Sequence, residues 1–237
     1  REVLADLRLL TREPVAAVID THHHFDHSFG NHEFRPAPIW GHVRCAERIQ
    51  ANVRDPAAHA RNLVEIVEEY PTLTGELDDV TLDPPDHTVG DEGAIVEIGG
   101  RRIDLLWLGR GHTDNDIVIH VPDGETLFAG DLLENGAPPW IGDGYPLDWP
   151  ATIEAIRAVV LAGGPGSMAV VPGHGDVGDR AFVERSHAEM AAIASLARQI
   201  GSGELALADA ARLAPYPLDV ATGALERAGA QLRGELD

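Results

Sequence analysis

The stretch Thr21-His22-His23-His24-Phe25-Asp26-His27 follows directly on the apolar run Val15-Ala16-Ala17-Val18-Ile19. A short apolar run placed just after a proline, here Pro14, reads as a buried strand. A strand ending in such a loop presents ligand-type side chains at the carboxyl edge of a sheet, where α/β proteins hold their sites. In an extended backbone alternate residues share one side. His22, His24 and Asp26 therefore point one way and His27 the other, so one loop offers two ligand sets. Imidazole and carboxylate without sulfur suit zinc first, then iron or manganese. His23 falls on the opposite side of the alternation and reads as a neighbour that orients the ligands, or as a surface residue.

Three later segments repeat a strand that runs into glycine and then a ligand-type residue. His112 follows Arg101–Leu108 through Gly109-Arg110-Gly111, Asp131 follows Thr126–Ala129 through Gly130, and His174 follows Met168–Val171 through Pro172-Gly173. Glycine lets the backbone turn sharply and come close to an ion. The set is five histidines (22, 24, 27, 112, 174) and two aspartates (26, 131). Divided as His22, His24, His112 for one ion and Asp26, His27, His174 for a second, with Asp131 bridging, each ion keeps a position for water. Such a cationic, open site suits polarising a carbonyl or phosphoryl oxygen.

The rest of the chain reads as layered α/β. Residues 2–11 are an amphipathic helix, and Pro38-Ile39-Trp40-Gly41 is a short strand. Residues 42–70 are two helices parted at Asp55-Pro56, the second with an apolar face of Leu63, Ile66, Val67 and Tyr70. Ala94–Ile98 and Arg101–Leu108 form a hairpin about Gly99-Gly100, and Ile117–Val121 and Thr126–Ala129 form another. A helix opens at Asp148, which is placed to cap it. A long helix covers about 180–200, and an Ala-rich helical tail is broken at Pro215-Tyr216-Pro217.

Composition bounds the partners. The net charge of −21, from 18 basic and 39 acidic side chains, disfavours nucleic acid. No run is long and apolar enough for a membrane span, and the first residues are not a signal peptide. A cytoplasmic protein acting on a small molecule is expected. The single Cys45 excludes an internal disulfide and a Cys-based zinc cluster, and sits in a helical pattern as a buried apolar residue.

The motif His22-x-His24-x-Asp26-His27, followed in order by Gly-His112-Thr, Gly-Asp131 and Gly-His174-Gly, resembles the metallo-β-lactamase superfamily over about residues 15–190. Asp131 stands where one β-lactamase subgroup has cysteine, which is closer to the glyoxalase II-like and general hydrolase branches. The resemblance implies a four-layer αββα sandwich over residues 1–200, with a helical extension over 201–237. It also implies that the N-terminal strands are missing from this chain. It implies two Zn2+ ions (Fe or Mn as alternatives) bound by all seven residues. On this resemblance Asp26 and Asp131 are expected to be catalytic, with a metal-bound hydroxide attacking a small ester, thioester or lactam-type substrate. A mononuclear iron persulfide dioxygenase-like activity and a β-lactamase proper are the alternatives.

Asn135, Trp140 and Tyr145 follow Asp131 closely and are expected at the mouth of the site, the aromatics as apolar walls and Asn135 as an oxyanion donor. The other reading of these aromatics is loop packing. His32, His42, His59, His87, His120 and His187 read as surface residues. Asp114 and Asp116 either orient His112 or cap the next strand.

Overall fold

The computed structural model describes residues 2–163 and 168–236. Its contacts divide it into two compact units, one ending at Gly90 and the other beginning at Asp91.

The first unit carries helix α1 (Glu2–Leu10), strand β1 (Val18–Ile19), the one-turn helix α2 (Phe25–Ser28), strand β2 (Ile39–His42), helices α3 (Val43–Arg54) and α4 (Pro56–Glu69), and strand β3 (His87–Val89). The strands form a parallel sheet in the order β1-β2-β3. β1 is shorter than the apolar run that announces it. Val18 donates to the Pro38 carbonyl and Asp20 to the Trp40 carbonyl. Pro36 and Pro38 lack the N–H groups that a longer ladder would need.

Asp55 parts α3 from α4 as expected: its Oδ1 accepts from the amides of Ala57 and Ala58, and Pro56 fills the first helical turn. The apolar face read on α4 is only half-buried, and no residue of that helix is fully buried. The core of this unit is small, comprising Ala37, Ile39, Cys45, Ile49 and Val89. His42 corrects its reading as a surface residue. It is fully buried, and its Nδ1 accepts from the Arg44 amide at the start of α3. A histidine at the cap position satisfies an orphan helix donor, a role the sequence pattern does not distinguish from exposure.

The connection into β3 is fastened by charge. Arg35 donates to Asp83 through Nη2 at 2.6 Å and Nε at 2.7 Å, and it also pairs with Asp86. Asp86 in turn accepts from the Ile39 amide at 2.9 Å, closing the start of β2.

The second unit is built on a five-stranded sheet in the order β4-β5-β6-β7-β8: β4 (Ala94–Ile98), β5 (Arg101–Leu106), β6 (Val118–Val121), β7 (Thr126–Asn135) and β8 (Ala169–Gly175). Both expected hairpins are present and antiparallel, while β8 runs parallel to β7. Gly99 and Gly100 have φ of 61° and 80°, values that a tight hairpin turn requires and side chains resist. β7 runs beyond Ala129 to Asn135, so Asp131 lies within a strand and not in a loop after it.

Helices α5 (Trp149–Ala162), α6 (Arg180–Gly201), α7 (Leu207–Leu213) and α8 (Leu218–Leu232) complete the unit, with α6 packed on α5 and α8. Leu127, Leu132, Leu133, Trp149, Ile156 and Ile193 are at the centre of its core, and Ala221, Ala224 and Leu225 of α8 join them. Asp148 does not cap α5 with its side chain, as the sequence suggested. It pairs with Arg110, whose Nε and Nη2 lie 2.9 and 2.6 Å from Oδ2. Among the described residues no helix is long and apolar enough to cross a membrane.

The Arg35 cluster makes a testable contribution. Its hydrogen bonds hold the Asp83 carboxyl below its ordinary value, with burial opposing them. That stability is present above the unfolded value of 3.8 and is lost as pH falls through the folded one. Arg35→Ala is expected to cost about 1 kcal/mol at pH 7, discounted for partial exposure, and less at pH 3. Urea unfolding at the two pH values measures both.

Candidate metal centre

Each unit gathers one group of ligand-type side chains. In the first, Ile19 ends β1 and the chain bends through residues 21–24 before α2 begins at Phe25. The extended alternation therefore stops at His24, and Asp26 and His27 are placed by a helical turn instead. Ser28 Oγ ties this turn down by donating to the carbonyls of His24 (2.8 Å) and His23 (3.1 Å).

The imidazoles are packed together. The ring of His22 lies 4.6 Å from that of His24 and 4.2 Å from that of His27, centroid to centroid. His22 is fully buried. The Thr21 hydroxyl stands 3.1 Å from His22 Nδ1 and 3.0 Å from His27 Nδ1. One hydroxyl can donate to one ring and accept from the other, so Thr21 fixes both orientations. On the far side, His22 Nε2 and His24 Nδ1 are 3.0 Å apart. Two ring nitrogens at that distance need a proton between them or a cation facing both. Asp26 Oδ2 lies 3.5 Å from His27 Nε2 and is one-third exposed.

Asp20, directly after β1, is a further buried group beside these residues in the chain. It is 1% exposed and accepts from Asn31 Nδ2 at 2.7 Å. Burial pushes its carboxyl up to about 7, against the Asn31 hydrogen bond and the charge of His27. Its only sequence signal was a charged residue at the end of an apolar run.

In the second unit the centre is Asp131. Nε2 of His112 and Nε2 of His174 each lie 3.5 Å from Asp131 Oδ2. His112 is 1% exposed, and its Nδ1 stands 3.1 Å from the Trp140 carbonyl oxygen. A carbonyl only accepts, so Nδ1 carries a proton, and in the neutral ring Nε2 turns its lone pair on Asp131. A lone pair facing a buried carboxylate is repulsive unless a cation or a proton stands between them. The donor chemistry of this centre therefore fits a divalent cation bound by nitrogen and oxygen.

Backbone geometry builds this arrangement. A Cβ on Gly173 would lie 1.8 Å from Asp131 Oδ1, and one on Gly111 would lie 2.3 Å from Leu132 Cδ2. Asp116 accepts from the Thr113 amide and hydroxyl at 2.7 and 2.8 Å, closing the turn that follows His112.

Glu134 is an addition. Its carboxylate reaches within 4.8 Å of the ligand atoms of both His112 and Asp131. Residues three apart do not share a side of a regular strand. The register of β7 against β8 shifts between Gly130 and Glu134, and that irregularity removes the expected alternation.

Of the residues expected at the mouth, Asn135 donates its amide to the Asp176 carbonyl at 2.8 Å. Tyr145 is 3% exposed, with the Arg110 guanidinium 4.3 Å from its ring centre. Trp140 is 42% exposed, with its ring 5.8 Å from that of His112. Helix α8 fastens the intervening loop: Arg227 Nε donates to the Gly144 carbonyl, and the Leu147 amide donates to Gln231 Oε1.

The raised value of Asp20 has a definite sign. A carboxyl whose folded pKa lies above its unfolded one stabilises the fold at low pH, and that contribution is lost as pH rises. Unfolding free energy of the metal-free protein should fall between about pH 4 and pH 7. Asp20→Asn should flatten that part of the profile and raise stability at pH 8 by on the order of 2 kcal/mol. Denaturant titrations across the pH range check this.

Residues 1–174 match the family model described as the metallo-beta-lactamase superfamily. The type 2 metallo-beta-lactamase of Bacteroides fragilis is 32% identical over 108 residues, 44% of this chain and 41% of that protein. That of Bacillus cereus is 31% identical over 100 residues, 40% of this chain and 38% of that protein. These matches thus span about two-fifths of the relatives' length. Among solved structures, a metallo-beta-lactamase from Pontibacter korlensis superposes with a TM-score of 0.60 at 20% identity, covering 80% of this chain and 75% of its own. The IND-7 metallo-beta-lactamase gives 0.60 at 17% identity, over 80% and 74%. These likenesses show the fold, and the family match over nearly three-quarters of the sequence shows that the chain belongs to the metallo-β-lactamase superfamily.

Proposed function

We propose that this protein is a metal-dependent hydrolase binding two zinc ions, with His22, His24, Asp26, His27, His112, Asp131 and His174 as the ligands. The observation that carries the reading is the Asp131 centre, where Nε2 of His112 and Nε2 of His174 face one carboxylate oxygen. Family membership supports it. Bound there, zinc would supply Lewis acidity, lowering the pKa of water and polarising a carbonyl oxygen.

The protein's own residues do the remainder. Asp131 neutralises part of the cationic charge from within the fold. Thr21 and the Trp140 carbonyl hold His22, His27 and His112 in orientation before substrate arrives. Asp26, the more exposed carboxylate, accepts a hydrogen bond from the attacking water. Trp140 offers an apolar surface beside His112 for the substrate.

The substrate is a small ester, thioester or lactam in the cytoplasm. The net charge of −21 disfavours polyanions, including nucleic acid. Aspartate at position 131, where one β-lactamase subgroup has cysteine, favours the glyoxalase II-like and general hydrolase branches. A β-lactamase proper is the second reading, favoured by relatives that are type 2 metallo-beta-lactamases.

Elemental analysis of the zinc-loaded full chain should give two zinc ions per chain. Hydrolysis of a thioester, a lactone and a cephalosporin then separates the substrate classes. His112→Ala and Asp131→Ala are each expected to lower kcat/KM at least roughly a hundredfold on the accepted substrate. One iron per chain, with oxygen consumption on a persulfide, would replace the hydrolase by an oxidoreductase.

A further inference from the structure

We infer that Glu134 is a positioning residue for His112, acting through the peptide backbone of Trp140. Glu134 Oε1 accepts from the Trp140 amide at 3.0 Å. The carbonyl of the same residue accepts from His112 Nδ1 at 3.1 Å. The path runs from carboxylate to amide, across one residue, and from carbonyl to imidazole. Trp140 belongs to the segment after β7, outside any helix or strand, so no ladder fixes its carbonyl. Glu134 lies on β7, within a strand paired to β8. The carboxylate thus anchors a loop residue to the sheet, and that residue sets the tautomer and ring angle of His112.

Three further features hold the same unit in place. His112 packs edge-on against Trp149, with ring centroids 5.9 Å apart, and Trp149 Nε1 donates to the Leu132 carbonyl on β7. A Cβ on Gly142 would lie 2.1 Å from the Trp140 ring, so glycine there leaves the indole its place. These contacts limit where the ring of His112 sits. The Trp140 carbonyl favours the proton on Nδ1. Loss of the Glu134 acceptor would let the Trp140 peptide turn away and let the two tautomers of His112 interchange.

Glu134 also reaches the ligand atoms of His112 and Asp131, so a direct metal-ligand role is the competing explanation. The two roles respond differently to glutamine. A Gln side chain keeps a carbonyl oxygen to accept the Trp140 amide, while losing the charge that a carboxylate ligand contributes.

The inference rests on the metal-site reading for its consequence, although the tautomer itself is measurable without metal. Imidazole 15N and N–H spectra of the metal-free full chain should show His112 protonated at Nδ1, with a slowly exchanging proton. In Glu134→Ala, exchange of that proton should quicken at least tenfold, and in Glu134→Gln it should stay within about twofold of wild type. With zinc added, Glu134→Ala should bind about tenfold more weakly by competition with a chelating dye, the scale seen when partners of metal-ligating histidines are lost. Glu134→Gln should restore most of the affinity. Glu134→Ser serves as a second truncation if the alanine variant is unstable.

Unchanged exchange in the truncated variants overturns the inference, as does a glutamine variant as impaired as alanine. If the exchange results hold but wild type binds no zinc, the relay stands and the metal-site reading falls.

Discussion

Asp131 faces two imidazole nitrogens from inside the fold of the second unit, and most of the local structure exists to sustain that encounter. The Trp140 carbonyl holds the proton of His112 on Nδ1 and turns Nε2 toward the carboxylate. Glycine at 173 leaves no atom where Asp131 Oδ1 stands, and glycine at 111 gives room to Leu132. The turn after His112 is closed by Asp116. Unless a proton or a cation stands between them, these groups concentrate repulsion around a buried carboxylate, a cost that ordinary core packing would not retain. A divalent ion turns the same groups into ligands.

The first unit solves the same problem with different parts. Its core is small, so a charged cluster about Arg35 and a buried histidine cap at His42 assist in fixing the sheet. From the end of that sheet the chain drops into one helical turn, and three imidazoles come to share a single small space. Thr21 and the buried Asp20 stand behind them. In both units the ligand-type residues are gripped by neighbours that never need to touch a metal. That is the arrangement a preformed site requires.

Much of this was legible in the sequence because it rests on local rules. Asp55-Pro56 parts two helices, Gly99-Gly100 turns a hairpin, and glycine precedes each later ligand-type residue. What escaped was non-local. β1 is cut short by prolines on its neighbour, not by its own residues. Asp148 opens a helix and so reads as a cap, yet Arg110, distant in sequence, claims its carboxylate. Glu134 was hidden by the register shift in β7, since strand alternation fails where a bulge intervenes. His42 and Asp20 are buried polar groups whose partners cannot be read from spacing.

X-ray absorption at the metal edge of the zinc-loaded full chain tests the central claim most directly. The account predicts a first shell of nitrogen and oxygen near 2.0–2.1 Å, no sulfur, and metal–metal scattering at roughly 3.5–4 Å. A sulfur shell, or a single isolated ion with no neighbouring metal at full loading, would contradict it.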